Sequence, residues 1–166
     1  MFHNYLEPSF LEILIDRGGK DDVYKLADEL GFEIDDIFPI VESAQLLGYL
    51  KVEEGDVAIT PSGRLFADSE ILKQKELFRD AALEHVLLLR QITRALDTKS
   101  DHTVPEEFFL DMLDEQFSQE ETQRQLETAI NWGRYAELFD FDAGRRRFIR
   151  PEVEQSVEAP VEETVE

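Results

Sequence analysis

Residues 32–48, FEIDDIFPIVESAQLLG, set the fold, because their pattern returns 85 positions later in residues 117–133, FSQEETQRQLETAINWG. Phe32 recurs as Phe117, Asp35-Asp36 as Glu120-Glu121, Glu42-Ser43-Ala44 as Glu127-Thr128-Ala129, and Gly48 as Gly133. Each stretch reads as a helix entered through acidic residues and left at a glycine. Two copies imply one supersecondary unit used twice.

Upstream of the first copy, Leu6, Phe10, Leu11, Ile13 and Leu14 recur at spacings of three and four, and Gly18-Gly19 closes that first helix. Lys20 opens a second segment in which Asp21-Asp22 sit at a helix N-terminus, where carboxylates favour the macrodipole. Its apolar face is Val23, Leu26, Ala27 and Leu30, and Gly31 ends it. Asp35 reads as the cap of a third helix with Ile37, Ile40, Val41, Ala44 and Leu47 inward and Pro39 in about its first turn. Tyr49 to Val52 and Val57 to Thr60 then alternate around Glu53-Glu54-Gly55-Asp56, a hairpin pattern. Three helices followed by a hairpin have the order of a winged helix. Thr60-Pro61-Ser62-Gly63-Arg64 opens a further helical stretch through Phe66-Ala67.

Between Asp68 and Leu96 runs the longest period, with Ile71, Phe78, Ala82, His85, Leu89, Ile92 and Leu96 on one stripe and Leu77, Ala81, Leu88 and Ala95 beside it. So wide an apolar face requires cover from more than one side, either by the two units it joins or by a second copy of the chain in a homodimer. The second unit starts near Pro105 with Phe108, Phe109, Met112, Leu113 and Phe117. Ser118 caps a helix from Glu120 to Trp132, with Leu126, Ile130 and Trp132 as core candidates. Tyr135 to Phe139 and Arg147 to Ile149 flank the turn Asp140-Phe141-Asp142-Ala143-Gly144. The expected fold is mainly α with small β-hairpins, an α+β chain of tandem winged-helix repeats joined by a long helix. Its expected parts are a first unit over 1–68, a connecting helix over 69–102, a second unit over 103–150 and a disordered acidic tail over 151–166.

The 166 residues are 42% apolar, enough for a core, and carry a formal charge of -21. The tail from Pro151 holds six glutamates and no Lys or Arg, so residues 1–150 keep 32 acidic and 17 basic groups, a net of -15. A surface this acidic repels nucleic acid and anionic lipid. No stretch reaches the roughly 20 apolar residues of a membrane span, and the first 19 residues carry Glu7, Glu12 and Asp16 where a signal peptide would be basic and then apolar. The expected location is the cytoplasm. Cysteine is absent, which excludes disulfides and thiolate chemistry.

No phosphate loop, dinucleotide-binding turn or nucleophile elbow occurs. Arg17-Gly18-Gly19-Lys20 has the composition of a phosphate cradle, but Asp21-Asp22 follow where the phosphate would sit, which favours a turn. His3, His85 and His102 lie far apart, and Asp140-Phe141-Asp142 is followed by Gly144-Arg145 where a calcium loop needs further ligands. The acidic pairs Asp35-Asp36, Glu106-Glu107 and Glu120-Glu121 fall near helix starts, where capping accounts for them. Neither catalysis nor a metal or cofactor is expected.

The outward positions of the third helix are Asp35, Asp36, Glu42, Ser43 and Gln45, which would repel DNA. The second unit offers Gln123, Arg124, Asn131 and Arg134 as groove residues for a DNA-reading alternative. Arg145, Arg146, Arg147 and Arg150 form a basic hairpin, readable equally as a docking patch for an acidic partner or for the chain's own tail.

The stretch DRGGKDDVYKLADELGFEIDDIFPIVESAQLLGYLKVEEGDVAITPSGRLFADS (16–69), with KELFRDAALEHV (75–86) and INWGRYAELFDFD (130–142), resembles the AAA-associated C-terminal domain family. That family stands behind the ATP-binding cassette of nitrate, sulfonate, taurine or bicarbonate importers. The resemblance implies an accessory, regulatory domain with an ABC transporter ATP-binding subunit as partner, held peripherally at the inner membrane through the transporter. Neither Walker motif nor the cassette signature occurs in these residues, so the resemblance carries over no ATPase residue.

Overall fold

A computed structural model of the protein describes residues 8–151. His3, Leu6 and the acidic tail beyond Pro151 lie outside the described residues. Eight helices and two small antiparallel sheets are described, a mainly helical α+β arrangement.

The first half runs α1 (Pro8–Asp16), β1 (Lys20–Asp22), α2 (Val23–Leu30), α3 (Ile34–Leu46), β2 (Leu50–Glu53) and β3 (Asp56–Ile59), with sheet order β1-β3-β2. α1 closes as its sequence predicts: Gly18 and Gly19 both take positive φ, and their N–H groups donate to the Ile15 and Leu14 carbonyls. Lys20 to Asp22, expected at a helix start, is instead a strand; Asp22 does cap α2, its carboxylate accepting from the Lys25 N–H at 3.0 Å. Three residues show no period of their own, so β1 exists through its pairing with β3.

The N-cap position of α3 is Glu33 rather than Asp35, with no side-chain capping bond; Asp35 and Asp36 occupy its first turn, and Pro39 is its sixth residue, beyond that turn. Its inward residues Ile37, Val41, Ala44 and Leu47 are buried with Val23, Leu26 and Ala27 of α2. β2 and β3 meet in a two-residue turn, Glu54-Gly55, with φ 50° and 85°, the primed geometry that matches strand twist.

α4 (Pro61–Asp68) starts at Thr60, whose hydroxyl accepts from the Gly63 N–H and donates to the Gly48 carbonyl at 2.6 Å. The expected single connecting helix is two helices, α5 (Ile71–His85) and α6 (Leu87–Thr98). Val86 between them is extended, at φ −111° and ψ 100°. The Arg90 guanidinium donates to the Leu83 and Glu84 carbonyls at 2.7 and 2.6 Å, satisfying the acceptors that the break leaves at the end of α5. Periodicity persists across the break because α6 needs the same apolar face, now turned towards β4, β6 and α8.

The second half is β4 (Thr103–Pro105), α7 (Glu106–Asp114), α8 (Gln119–Tyr135), β5 (Asp140–Asp142) and β6 (Arg147–Ile149), with sheet order β4-β6-β5. Preceded by α6, it repeats the element order of the first half. Equivalent hydrogen bonds recur: the Val23 N–H donates to the Gly55 carbonyl and the Glu106 N–H to that of Arg146. The Tyr49 N–H donates to Ala44, and the Leu138 N–H to Gly133.

These bonds correct the spacing of the repeat. The helix starts are 85 residues apart, but α8 has 17 residues against 13 in α3, one turn more. Gly48 therefore corresponds to Glu137, which also has positive φ, and Gly133 corresponds to Ala44 inside the helix. The strand expected over Tyr135 to Phe139 is the helix end and its capping turn; β5 begins at Asp140, and the hairpin turns through residues 143–146.

Gly133 lets the Phe139 ring lie against α8, since an added Cβ would fall 2.0 Å from the ring. Gly63 similarly admits the Tyr49 carbonyl, 2.3 Å from an added Cβ, whereas at Gly144 the nearest atom stands at 3.4 Å. Gly133→Ala and Gly63→Ala should each destabilise by about 1–3 kcal/mol. Gly144→Ala should stay within about 0.5 kcal/mol. Urea unfolding midpoints at unchanged m-value check all three.

Candidate partner-docking site

The basic hairpin is built by β5 and β6 and the turn between them. Asp142 organises that turn by accepting at Oδ1 from the Gly144 and Arg145 N–H groups, at 3.0 and 3.1 Å. The same two contacts explain the aspartate that a calcium-loop reading would make a ligand, and no group of metal-binding side chains occurs among the described residues. At the other candidate anion site, the Gly18 and Gly19 N–H groups are spent on the end of α1, so residues 17–20 form a turn and not a cradle.

The four arginines do not form a free cationic patch. Arg146 grips Glu106 through Nε and Nη2, at 2.5 and 2.8 Å, and stacks over Phe141 with Cζ 5.0 Å from the ring centre. The Arg147 Nε lies 3.8 Å from an Asp142 oxygen, and Arg150 donates to Asp97 at 2.7 Å. Arg145 alone of the four is exposed without an ion pair among the described residues.

The groove candidates on α8 are similarly engaged. Arg124 donates to Glu121 through Nε and Nη2 at 2.9 and 2.7 Å, and the Arg134 Nε stands 3.4 Å from Asp140. Gln123 is exposed and Asn131 half-buried. The hydrogen bond to Glu121 raises the Arg124 pKa above its ordinary value, with a smaller contribution from the charge of Glu42. Ser118 caps α8 as the sequence predicts, accepting from the Glu121 N–H, but the Glu121 carboxylate turns to Arg124 and Gln125 rather than back to the cap.

Sequence reasoning missed the pairing of Arg146 with Glu106. Glu106 is only 5% exposed and occupies the place that Val23 holds in the first half, while Arg146 stands where Gly55 stands. A gapless overlay at 85 residues does not align these positions, so the exchange of an apolar contact for an ion pair has no linear signal.

A family model described as the C-terminal AAA-associated domain matches residues 24–142. The chain belongs to the AAA-associated C-terminal domain family. No curated protein and no solved structure matches it. Membership gives an accessory role beside an ATPase as the coarse function. The matched span of this AAA-associated domain runs from α2 to β5, so it contains α3 and α8 but ends before Arg145, Arg146, Arg147 and Arg150. No helix among the described residues is long and apolar enough to cross a membrane.

Arg146→Ala should strand the Glu106 carboxylate and cost about 2 kcal/mol, moderated because the arginine itself is 58% exposed. Glu106→Val with Arg146→Gly, the combination used by the first half, should regain most of that loss; a double-mutant cycle by urea unfolding measures it. Hydrogen bonds from Arg124 and then Gln125 hold the Glu121 pKa down to about 2. A carboxylate depressed in the folded state stabilises above its unfolded pKa, and that contribution fades as pH falls from about 4.5 towards 2. In Arg124→Ala, side-chain carboxyl NMR should find Glu121 titrating well above 2, towards the ordinary glutamate value.

Proposed function

We propose that the chain is a non-enzymatic regulatory module of two winged-helix units that acts on the ATP-binding subunit of a nitrate-, sulfonate- or bicarbonate-type ABC importer. The observation carrying this reading is the AAA-associated family match, which spans α2 to β5 and so includes most of both units. The equivalent sheet orders β1-β3-β2 and β4-β6-β5, each with one strand before the helix pair and a hairpin after it, support the winged-helix reading. The module sits in the cytoplasm, reaching the inner membrane only through the transporter, and contributes no catalytic group to the ATPase cycle.

Docking through a strongly positive hairpin is weakened as a motive, since Arg146 and Arg150 are hydrogen-bonded to carboxylates within the chain and Arg147 lies 3.8 Å from one. The DNA-reading alternative meets the same difficulty at Arg124 and Arg134, and it must also overcome the acidic α3.

Tagged protein recovered from native lysate, with and without nuclease, tests the reading. An ATP-binding cassette subunit should be retained in both samples, and its ATPase rate should change when the purified chain is added. Recovery of DNA without any cassette subunit would overturn the transporter assignment.

A further inference from the structure

Tyr24 of α2 and Phe38 of α3 meet edge to face, with ring centres 6.5 Å apart and planes at 89°, yet they remain 61% and 38% exposed. An aromatic pair joining two helices at the surface leaves much of its apolar area in water. On α3 the stripe continues through Glu42 to Leu46, each four residues on and each exposed. Phe38 and Leu46 stand eight residues, about 12 Å, apart along the helix, which two apolar side chains seven or eight residues apart on a facing helix would match.

Charge specifies the occupant. Residues 23–46 hold six carboxylates and only Lys25 as a cation, a net of -5. Asp28, Glu33, Asp35 and Asp36 have no ion pair among the described residues. Ile71 and Leu72 on α5 are more exposed still, Leu72 at 79%, but residues 68–76 around them hold three carboxylates and two lysines, a net of -1, with Lys73 and Lys75 paired to Glu76 and Glu137, so the pull on a cationic partner is far weaker there than at α2 and α3.

We propose that the α2–α3 face docks a cationic amphipathic helix, its apolar side seated on the Tyr24–Phe38 pair and Leu46 and its Lys or Arg residues against Asp28, Asp35, Asp36 and Glu42. In assigning that helix to an ATPase subunit, the inference rests on the function proposed above. The surface and its charge preference stand on the geometry alone.

The test uses the full chain and a fluorescent 14-residue amphipathic peptide of Leu and Lys, beside a counterpart with Glu for Lys, with binding followed by anisotropy and mapped by hydrogen exchange. The Lys peptide should protect α2 and α3. Tyr24→Ser with Phe38→Ser, which leaves net charge unchanged, should weaken it at least ten-fold, and Leu72→Ser should leave it unaltered. Asp35→Asn with Asp36→Asn should weaken it several-fold and flatten its salt dependence. Leu46→Lys, at an exposed helical position away from the ring pair, should also weaken it and guards against misfolding of the double serine variant. Equal binding of the Glu peptide, protection centred on α5 or around Phe108 of α7, or unchanged affinity in both the serine and Leu46→Lys variants would overturn the proposal. Such a failure condemns this surface whether or not a cassette subunit is recovered from lysate, and recovery alone does not rescue it.

Discussion

Phe78 of α5 is the contact on which the joining of the two halves depends. Its ring stands edge-on to Trp132 at 5.6 Å and to Tyr135 at 4.9 Å, both on α8. Four residues earlier, Gln74 donates from a buried amide to the Phe66 carbonyl at the end of α4, and Phe66 in turn stacks on Tyr49 at 4.7 Å. One helix thus touches the core of each half. Each sheet has only three strands of three or four residues, too little to bury a core alone, so the halves rely on helices shared between them. The buried apolar residues form one cluster from Phe10 to Phe148. Lys75, 5.6 Å from the Tyr135 ring centre and 3.4 Å from Glu137, closes the rim of this joint.

What could be read from sequence follows the range of each interaction. Helical faces are local, and the inward residues of α2, α3 and α8 were legible from spacing: Val23, Leu26, Ile37, Val41, Leu126 and Trp132 are all buried. Gly18-Gly19, Gly31 and the Ser118 cap were equally legible, since each satisfies backbone groups a few residues away. β1 was not, because a three-residue strand has no period and is defined by Val57 and its neighbours, over thirty residues on. The break at Val86 was hidden for the opposite reason: α5 and α6 both need apolar faces, so the pattern runs on while the backbone turns. The extra turn of α8 misled the overlay because Gly133, read as a stop, serves Phe139 as a gap in the helix surface.

The candidate site was legible in residue type and not in state. Sequence shows four arginines in six positions, but their pairing depends on Asp97, Glu106 and Asp142, brought in by three different segments. In a chain of formal charge -21 a cation readily finds a carboxylate within reach, as Arg146, Arg147 and Arg150 do, so clustered basic residues signal internal neutralisation as readily as a docking patch. The informative quantity is therefore the charge left over after internal pairing, and it is negative across the outer side of α2 and α3.

The two halves reach the same hydrogen-bond geometry with different chemistry, and that difference assigns them different surfaces. In the first half Val23 lies buried beneath a turn closed by Gly55, a contact that requires no charge. In the second, Glu106 occupies the buried place and Arg146 must stand over it, adopting positive φ to do so and sheltering Phe141 beneath its guanidinium. A carboxylate so enclosed is stable only while its partner stays, which keeps Arg146 from serving an outside ligand. Arg124 and Arg134 are drawn in the same way towards Glu121 and Asp140. The second half thus spends these cations, Arg145 excepted, on its own structure. The first half, whose residues 23–46 carry one lysine against six carboxylates, keeps its charge unbalanced beside an exposed aromatic pair, so attraction for a basic partner concentrates there.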